Sequence, residues 1–389
     1  MCGPKRGREM PDDGARPSGM PLSEKQKIAW LRLIRSENIG PATFRQLINH
    51  FGSAEKALDA LPDLSRRGGS TRNLHITTLD EAERELEIAQ RFGARFVGIG
   101  EADYPPALKE IDAAPPLIAM RGDGRTATRP SIGIVGSRNA SINGVKFAAM
   151  MARDCGREGY TIASGLARGI DAAAHRASLS TGTVAMLAGG LDRPYPPENF
   201  SLLDEIYANG GVTISEMPFG WEPRARDFPR RNRLIAGVSL GVIIVEAAQR
   251  SGSLITARLA GDFGRLVFAV PGSPLDTRCQ GTNGLIKDGA TLITEAKDVL
   301  DAISPLVAPD LPLFSHVSEP AQHRDISEPR DDDRSLVANA LGPSPVDMDD
   351  IIRHTGLSAS AIMLVLLELD IAGRIQRHAG GKISLISNG

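Results

Sequence analysis

Hydrophobic positions along this 389-residue chain fall into three regimes. From Ser23 they recur at helical spacing. Ile28, Leu31, Leu33 and Ile34 make one stripe, which stops near Asn38. Ile39-Gly40-Pro41-Ala42 reads as a tight turn, Phe44, Leu47 and Ile48 make a second stripe, and Ser53 can cap a third helix through Leu61. From residue 131 the pattern changes to short apolar runs. Strands are predicted over 131–135, 160–164, 183–188, 211–215, 240–246, 265–270 and 291–294. The connections between them carry helical patterns, which implies right-handed crossovers and a parallel sheet. Val242–Val245 and Leu266–Val270 are apolar on both faces, as a sheet covered by helices on both sides requires. After residue 334 the pattern is helical again. Ser335–Leu341 and Asp347–His354 read as short helices, and Ser358–Ala372 as a third, capped by Ser358 and closed by Gly373. Arg374–Arg377, a Gly380-Gly381 turn and Lys382–Leu385 then form a hairpin.

These regimes divide the chain. Residues 1–20 are polar and rich in Gly and Pro and are expected to be disordered. Residues 21–75 resemble a helix-hairpin-helix or SAM-like all-α module. DNA-binding hairpins of that kind hold a phosphate on the N–H groups of two glycines. Here only Gly40 is present and Pro41 has no N–H, so packing is the expected role. Residues 76–303 form an extended Rossmann-like α/β domain with helices on both faces. It opens with a helix over 80–92 and a Pro-rich stretch at Tyr104-Pro105-Pro106 and Pro115-Pro116. Residues 304–333 hold five prolines, end in Asp331-Asp332-Asp333 and read as a flexible linker. Residues 334–389 follow winged-helix order.

Composition narrows the function classes. The net charge of −2 excludes a general polycation, so any nucleic-acid site must be a local patch. Cys2, Cys155 and Cys279 form no CxxC pair, which argues against a structural zinc or a disulfide framework and for a reducing cytoplasm. No apolar segment precedes Met20, so a secretory signal is not expected. The longest apolar run, Val238–Val245, is far too short to span a bilayer, and no membrane association is expected.

The candidate chemistry lies where strands end in small-residue turns. Ser131–Val135 leads into Gly136-Ser137-Arg138. Tyr160–Ala163 leads into Ser164-Gly165-Leu166-Ala167-Arg168-Gly169. Val242–Glu246 leads, a few residues on, into Ser251-Gly252-Ser253. Unpaired N–H groups and positive helix ends collect at the carboxyl edge of a parallel sheet, which makes a phosphate-binding rim. A fourth Gly-bounded helix start, Gln280–Ala290, offers Asn283 and Lys287. Gly133–Arg138 lacks the G-x-G-x-x-G spacing and no acid closes the second strand, so NAD is disfavoured and no cofactor is expected. Asp171 and His175 lie one helical turn apart. Asp171 is read as a residue that caps or orients and His175 as a packing residue, rather than as an acid/base pair or metal arm. Arg224 to Arg233 holds five arginines and one acid, Asp227, with Phe228 and Asn232 interleaved. A cationic track with an aromatic for base stacking is what a single-strand binder needs.

The runs GSRN at 136–139, SGLARGID at 164–171, AGGLDRPYPPEN at 188–199, SEMPFG at 215–220, FPRRNRLIAG at 228–237, VEAAQRSGSLITA at 245–257 and PGSPLDTRCQGTNGLIKDGA at 271–290 strongly resemble the DNA-processing protein A family (DprA, also called Smf). The resemblance is dense over 104–295. It implies a non-enzymatic, cytoplasmic protein that binds single-stranded DNA, forms a homodimer through its Rossmann-like domain, and helps load the RecA recombinase during natural transformation. The implied single-stranded DNA site comprises Gly136, Ser137 and Arg138; Ser164, Gly165, Arg168 and Gly169; Phe228, Arg231, Asn232 and Arg233; Ser251, Gly252 and Ser253; and Asn283 and Lys287. An alternative is a nucleotide-binding hydrolase resembling the lysine-decarboxylase-like group, whose PGGxGTxxE motif carries a glutamate. Here Ser251–Ala257 stands in that place, with no carboxylate until Asp262. The third helix of the C-terminal module has no Lys or Arg and carries Glu368 and Asp370. A protein-contact or accessory role is therefore expected there, rather than groove reading.

Overall fold

The computed structural model describes residues 19, 21–307 and 329–386. Apart from Gly19, the expected N-terminal tail lies outside them, as does most of the expected linker. In the N-terminal module, Ser23 and Gln26 exchange side-chain and backbone bonds in a capping box that starts α1 (Glu24–Arg35). Helix α2 (Pro41–Phe51) has proline in its first turn, where an N–H is not needed, and stops at Gly52 in left-handed backbone (φ 78°). Ser53 caps α3 (Ala54–Arg67), which continues past Leu61 because Leu64 extends its buried stripe. Thr78 and Glu81 form a second capping box at α4 (Leu79–Arg91).

Two strands then appear that the hydrophobic pattern did not disclose, β1 (Arg95–Gly98) and β2 (Leu117–Gly122), with α5 (Pro106–Lys109) between them and α6 (Gly124–Thr128) after. Their apolar runs are short, and β2 directly follows Pro115-Pro116. The alternating unit follows: β3 (Ser131–Gly136), α7 (Ile142–Arg157), β4 (Thr161–Ser164), α8 (Ile170–Ala177), β5 (Thr183–Met186), α9 (Phe200–Ala208), β6 (Val212–Ser215), α10 (Asp227–Val238), β7 (Ser239–Val245), α11 (Gly252–Asp262), β8 (Leu266–Ala269), α12 (Gln280–Lys287), β9 (Thr291–Leu292) and α13 (Ala296–Val307). These strands form one nine-stranded sheet in the order β1-β2-β6-β5-β4-β3-β7-β8-β9. From β6 to β9 every pair is parallel, while β2 joins β6 and β1 joins β2 antiparallel.

Both faces are covered. Val242 and Ile244 of β7 pack with Leu234 and Ile235 of α10 and Ala257 of α11. Ile243 and Val245 point the other way, against Met151 of α7, Ala174 of α8 and Ile303 of α13. Successive strands run outward from β3 in one direction through β4, β5 and β6. From β7 they run in the opposite direction. The crossovers on either side of the β3/β7 pair therefore diverge and leave a crevice at its carboxyl end, the place where open α/β sheets bind ligands.

The C-terminal module contains α14 (Asp331–Ala340), α15 (Met348–Thr355), α16 (Ala359–Ile371), β10 (Ile375–Arg377) and β11 (Ile383–Leu385), the last two antiparallel. Asp331–Asp333, read from the sequence as the end of the linker, form the first turn of α14, where carboxylates complement the positive helix end. Among the described residues no single helix is long and apolar enough to cross a membrane.

Phe268 of β8 is fully buried, and Leu275 is 94% exposed. Phe268→Ala is expected to cost about 3–5 kcal/mol of stability, whereas Leu275→Ala should stay within about 0.5 kcal/mol. Denaturant unfolding of the two variants checks this. Equal midpoints would contradict the packing described.

Candidate nucleic-acid interface

A cleft of about 630 Å³ opens at the carboxyl ends of β3 and β7. One wall is Gly136, Ser137 and Arg138, and the opposite wall is Arg250, Ser251, Gly252 and Ser253 at the start of α11. Phe228, Arg231 and Asn232 of α10 lie between them. Residues from three distant stretches thus meet because strand order places β3 beside β7 and α10 across their ends.

Several backbone donors at this edge are already engaged by the chain's own side chains, two carboxylates among them. In the second turn, Asp171 accepts from the N–H groups of Gly165 (3.1 Å) and Ala167 (3.4 Å). The N–H of Leu166 donates to His175 Nε2 (3.3 Å). At the start of α7, Glu246 accepts from Ser141 N (2.8 Å) and from the Ser141 hydroxyl. Glu246 is buried and adopts left-handed backbone (φ 52°), a strained conformation for glutamate that turns its carboxylate onto the helix end. The start of α11 is capped only by the Ser251 hydroxyl, which accepts from Ser253 N (3.3 Å). Where a Cβ on Gly252 would stand there is open space.

Arg231 ties the cleft floor to the sheet. Its guanidinium donates to the carbonyls of Gly165 and Met186, at the ends of β4 and β5, and to Asn232 Oδ1 (3.2 Å). Asn232 Nδ2 in turn donates to Gly252 O (3.2 Å), joining α10 to α11. Burial pulls the Arg231 pKa down to about 10, opposed by Asp171, and pushes that of Asp171 up, opposed by Arg231. Gly165 is required here because a Cβ would lie 2.3 Å from Arg231 Nη1. One turn before Arg231, the Phe228 ring has Arg138 Cζ 5.3 Å and Arg231 Cζ 5.8 Å from its centroid, and Tyr195 meets it edge-on at 5.8 Å. Arg138 and Arg250 are exposed, and among the described residues no carboxylate lies within ion-pair distance of either.

The structure divides the residues expected from the sequence. Gly136, Ser137, Arg138, Phe228, Arg231, Asn232, Ser251, Gly252 and Ser253 line the cleft. Gly165 and Arg168 line a small pocket beside Phe228 and Tyr195. Arg168 also reaches an adjoining groove between α7 and α8, where it meets Glu198 at 3.6 Å. Gly169 borders that groove in left-handed backbone (φ 74°), packed on Ser137 O. Ser164 is buried and donates to Ile134 O (2.6 Å), tying β4 to β3. Arg233 lies off the cleft, paired with the buried Glu216 and donating to Ala113 O (2.9 Å). Asn283 clamps Gly272 through two bonds (2.9 and 3.1 Å). Lys287 is exposed in the last turn of α12, away from the cleft lining. Sequence reasoning passed over Glu246 and Arg250. An acid directly after a strand in an otherwise basic rim was the available signal for Glu246. Asp171 orients the second turn rather than capping α8, whose N-cap is Gly169 with no side-chain bond, and His175 is buried beneath that turn.

Three family profiles match the chain: "DNA recombination-mediator protein A" over residues 95–304, "DprA-like N-terminal HHH domain" over 24–88 and "DprA winged helix domain" over 320–381. Protein Smf of Synechocystis sp. is 30% identical over 398 residues, 92% of this chain and 98% of that protein. The X-ray structure of DNA processing protein A from Streptococcus pneumoniae superposes with a TM-score of 0.59 at 33% identity, covering 73% of this chain and 99% of that one. DNA processing protein A from Helicobacter pylori, whose structure is described for its single-stranded DNA binding mode, superposes with a TM-score of 0.50 at 28% identity, covering 55% and 96%.

His175 beneath the second turn makes the site sensitive to acid. Thr183 Oγ1 donates to Ile162 O (3.0 Å), so it accepts from His175 Nδ1–H (2.7 Å), and Nε2 is left to accept from Leu166. Burial holds the imidazole pKa down to about 3, against an ordinary 6.5. Between these values the unfolded chain binds the extra proton, so stability rises with pH from about 3 to about 6.5 and is level above. Asp171, with its pKa raised above 3.8, gives the opposite slope just above that value. The His175 part is therefore the difference between the wild type and His175→Gln, which is expected to flatten the curve in urea unfolding at stepped pH. Parallel curves would show that His175 titrates alike in both states.

Proposed function

Because the chain belongs to the DNA recombination-mediator protein A family, we propose that the cleft at the ends of β3 and β7 binds single-stranded DNA and that the protein acts as a recombination mediator. In this reading it loads RecA on single strands during natural transformation in the cytoplasm, and it works as a homodimer through its Rossmann-like domain. The carrying observation is Phe228, a half-buried ring with two guanidinium groups 5.3 and 5.8 Å from its centroid, on the floor of a cleft whose rim carries the exposed cations Arg138 and Arg250. A ring in that position offers a face or edge for a base, and the cations lie where a backbone would run. The two-ended guanidinium of Arg138 suits a phosphate, and the start of α11 offers the N–H groups that no carboxylate covers. Nothing in such a site reads base edges as a code, so binding is expected to tolerate any sequence.

Chemical catalysis fits the cleft less well than binding. Its carboxylate, Asp171, is engaged through Oδ2 with the backbone N–H groups of Gly165 and Ala167 beside Arg231, an orienting role for the turn. The neighbouring Glu246 is likewise spent on Ser141.

Arg138→Ala removes one charge-assisted contact, worth about 1.5–3 kcal/mol, and should weaken single-strand binding about tenfold or more. Arg138→Lys should recover part of the loss, because a point charge cannot engage two phosphate oxygens. Binding should fall steeply with added salt and favour single strands over duplex. Fluorescence anisotropy on both DNAs across a salt series measures all of this. Unchanged affinity in folded Arg138→Ala protein, or a flat salt response, would remove the cleft from the DNA path. Failure of the wild type, and not of the binding step, to speed RecA assembly on single strands would separate mediation from binding.

A further inference from the structure

The apolar residues of the last helix of the winged-helix module are spread round it rather than gathered in one stripe, as on a surface helix. Ile362, Val365 and Leu369 on one face fill the core of its own module. Leu364, Leu367 and Ile371, at the helical spacing of a second face, lie in the core of the N-terminal module with Leu47, Leu61 and Leu64. The backbones approach closely: a Cβ on Gly68, at the end of α3, would stand 2.1 Å from Glu368 O and 2.7 Å from Ala372 Cβ. Glu368 itself is fully buried and held by both arms of Arg334 (2.8 and 2.9 Å).

Polar contacts fix the orientation. Asn38, in the hairpin turn between α1 and α2 and in left-handed backbone (φ 62°), donates through Nδ2 to Ile371 O (3.0 Å) and so caps the end of α16. Thr43 Oγ1 donates to Asp370 Oδ2 (2.8 Å), which also accepts from Arg377 Nε (3.0 Å). Arg377 Nη2 continues to Gln46 Oε1 (3.0 Å). Each module therefore satisfies buried groups of the other.

We infer that the N-terminal helical module is the docking partner of the winged-helix module in this chain, with α16 as the shared core helix. A winged helix reads a duplex by inserting its third helix into the major groove. Here both faces of that helix are occupied by protein and its side chains include no Lys or Arg. The module is thus a structural half of a two-part helical lobe rather than a groove reader. Side chains of the hairpin, which in a DNA-binding hairpin would stand by the phosphate, are spent on the end of α16.

The test uses the full chain with a specific protease site placed within residues 308–328. After cleavage the two fragments are expected to co-migrate in gel filtration. Gly68→Val wedges the backbones apart without entering either core, and Leu367→Glu places a charge in the seam. Each should release the C-terminal fragment while single-strand binding and circular dichroism stay unchanged. Added duplex DNA should leave hydrogen exchange in α16 unaltered. Separation of the unsubstituted fragments, co-migration in both variants, or protection of α16 by duplex would overturn the proposal.

Discussion

The candidate site depends on one buried cation. Arg231 is withdrawn from water and has to be satisfied inside, and it takes the carbonyls that end β4 and β5. Asp171 supplies the opposing charge nearby. An isolated buried guanidinium would be costly, so this arrangement fixes α10 against the sheet edge. Phe228 sits one turn away on the same helix and is thereby placed on the cleft floor. Asn232, the next residue, links α10 to the start of α11 and sets the opposite wall. Gly165 has no side chain because the guanidinium occupies that space.

The rim around this centre sorts its charges by depth. Buried carboxylates hold backbone donors: Asp171 the second turn and Glu246 the start of α7. The exposed layer is cationic, with Arg138 and Arg250 facing the opening. A carboxylate satisfied by N–H groups rigidifies a turn without presenting its charge to a ligand, whereas an exposed guanidinium remains available to an anion. A protein of net charge −2 can in this way carry a local site for a polyanion. Arg230 and Arg233 mark the limit of that reasoning. They share the same arginine-rich run, yet both pair with Glu216 on another side of α10.

Periodicity was enough for the parallel strands, the helices between them and the winged-helix order, because burial on two faces leaves apolar runs and burial on one leaves stripes. It was not enough for β1 and β2, which join antiparallel at one end of the sheet through short apolar runs. Capping at Ser53 and Ser358 was readable because a cap is a local bond between near neighbours. Glycine turns were readable as turns but not as to what occupies them. At the cleft rim Gly136, Gly165 and Gly169 approach protein atoms, whereas Gly252 looks onto open space.

The sequence by itself therefore determined the parallel strands and their helices, the three-part division and the family, but not β1, β2 or the first turn of α14, since it reads local spacing and long runs of matching residues. Only the tertiary structure decided which arginines face a ligand and which face a carboxylate. It also decided that Asn283 clamps a loop and that α16 serves two cores. The reason is physical. A side chain's partner is set by strand order and helix packing between residues far apart in the chain, and a charge has the same letter in the sequence whether it is spent inside or left for solvent.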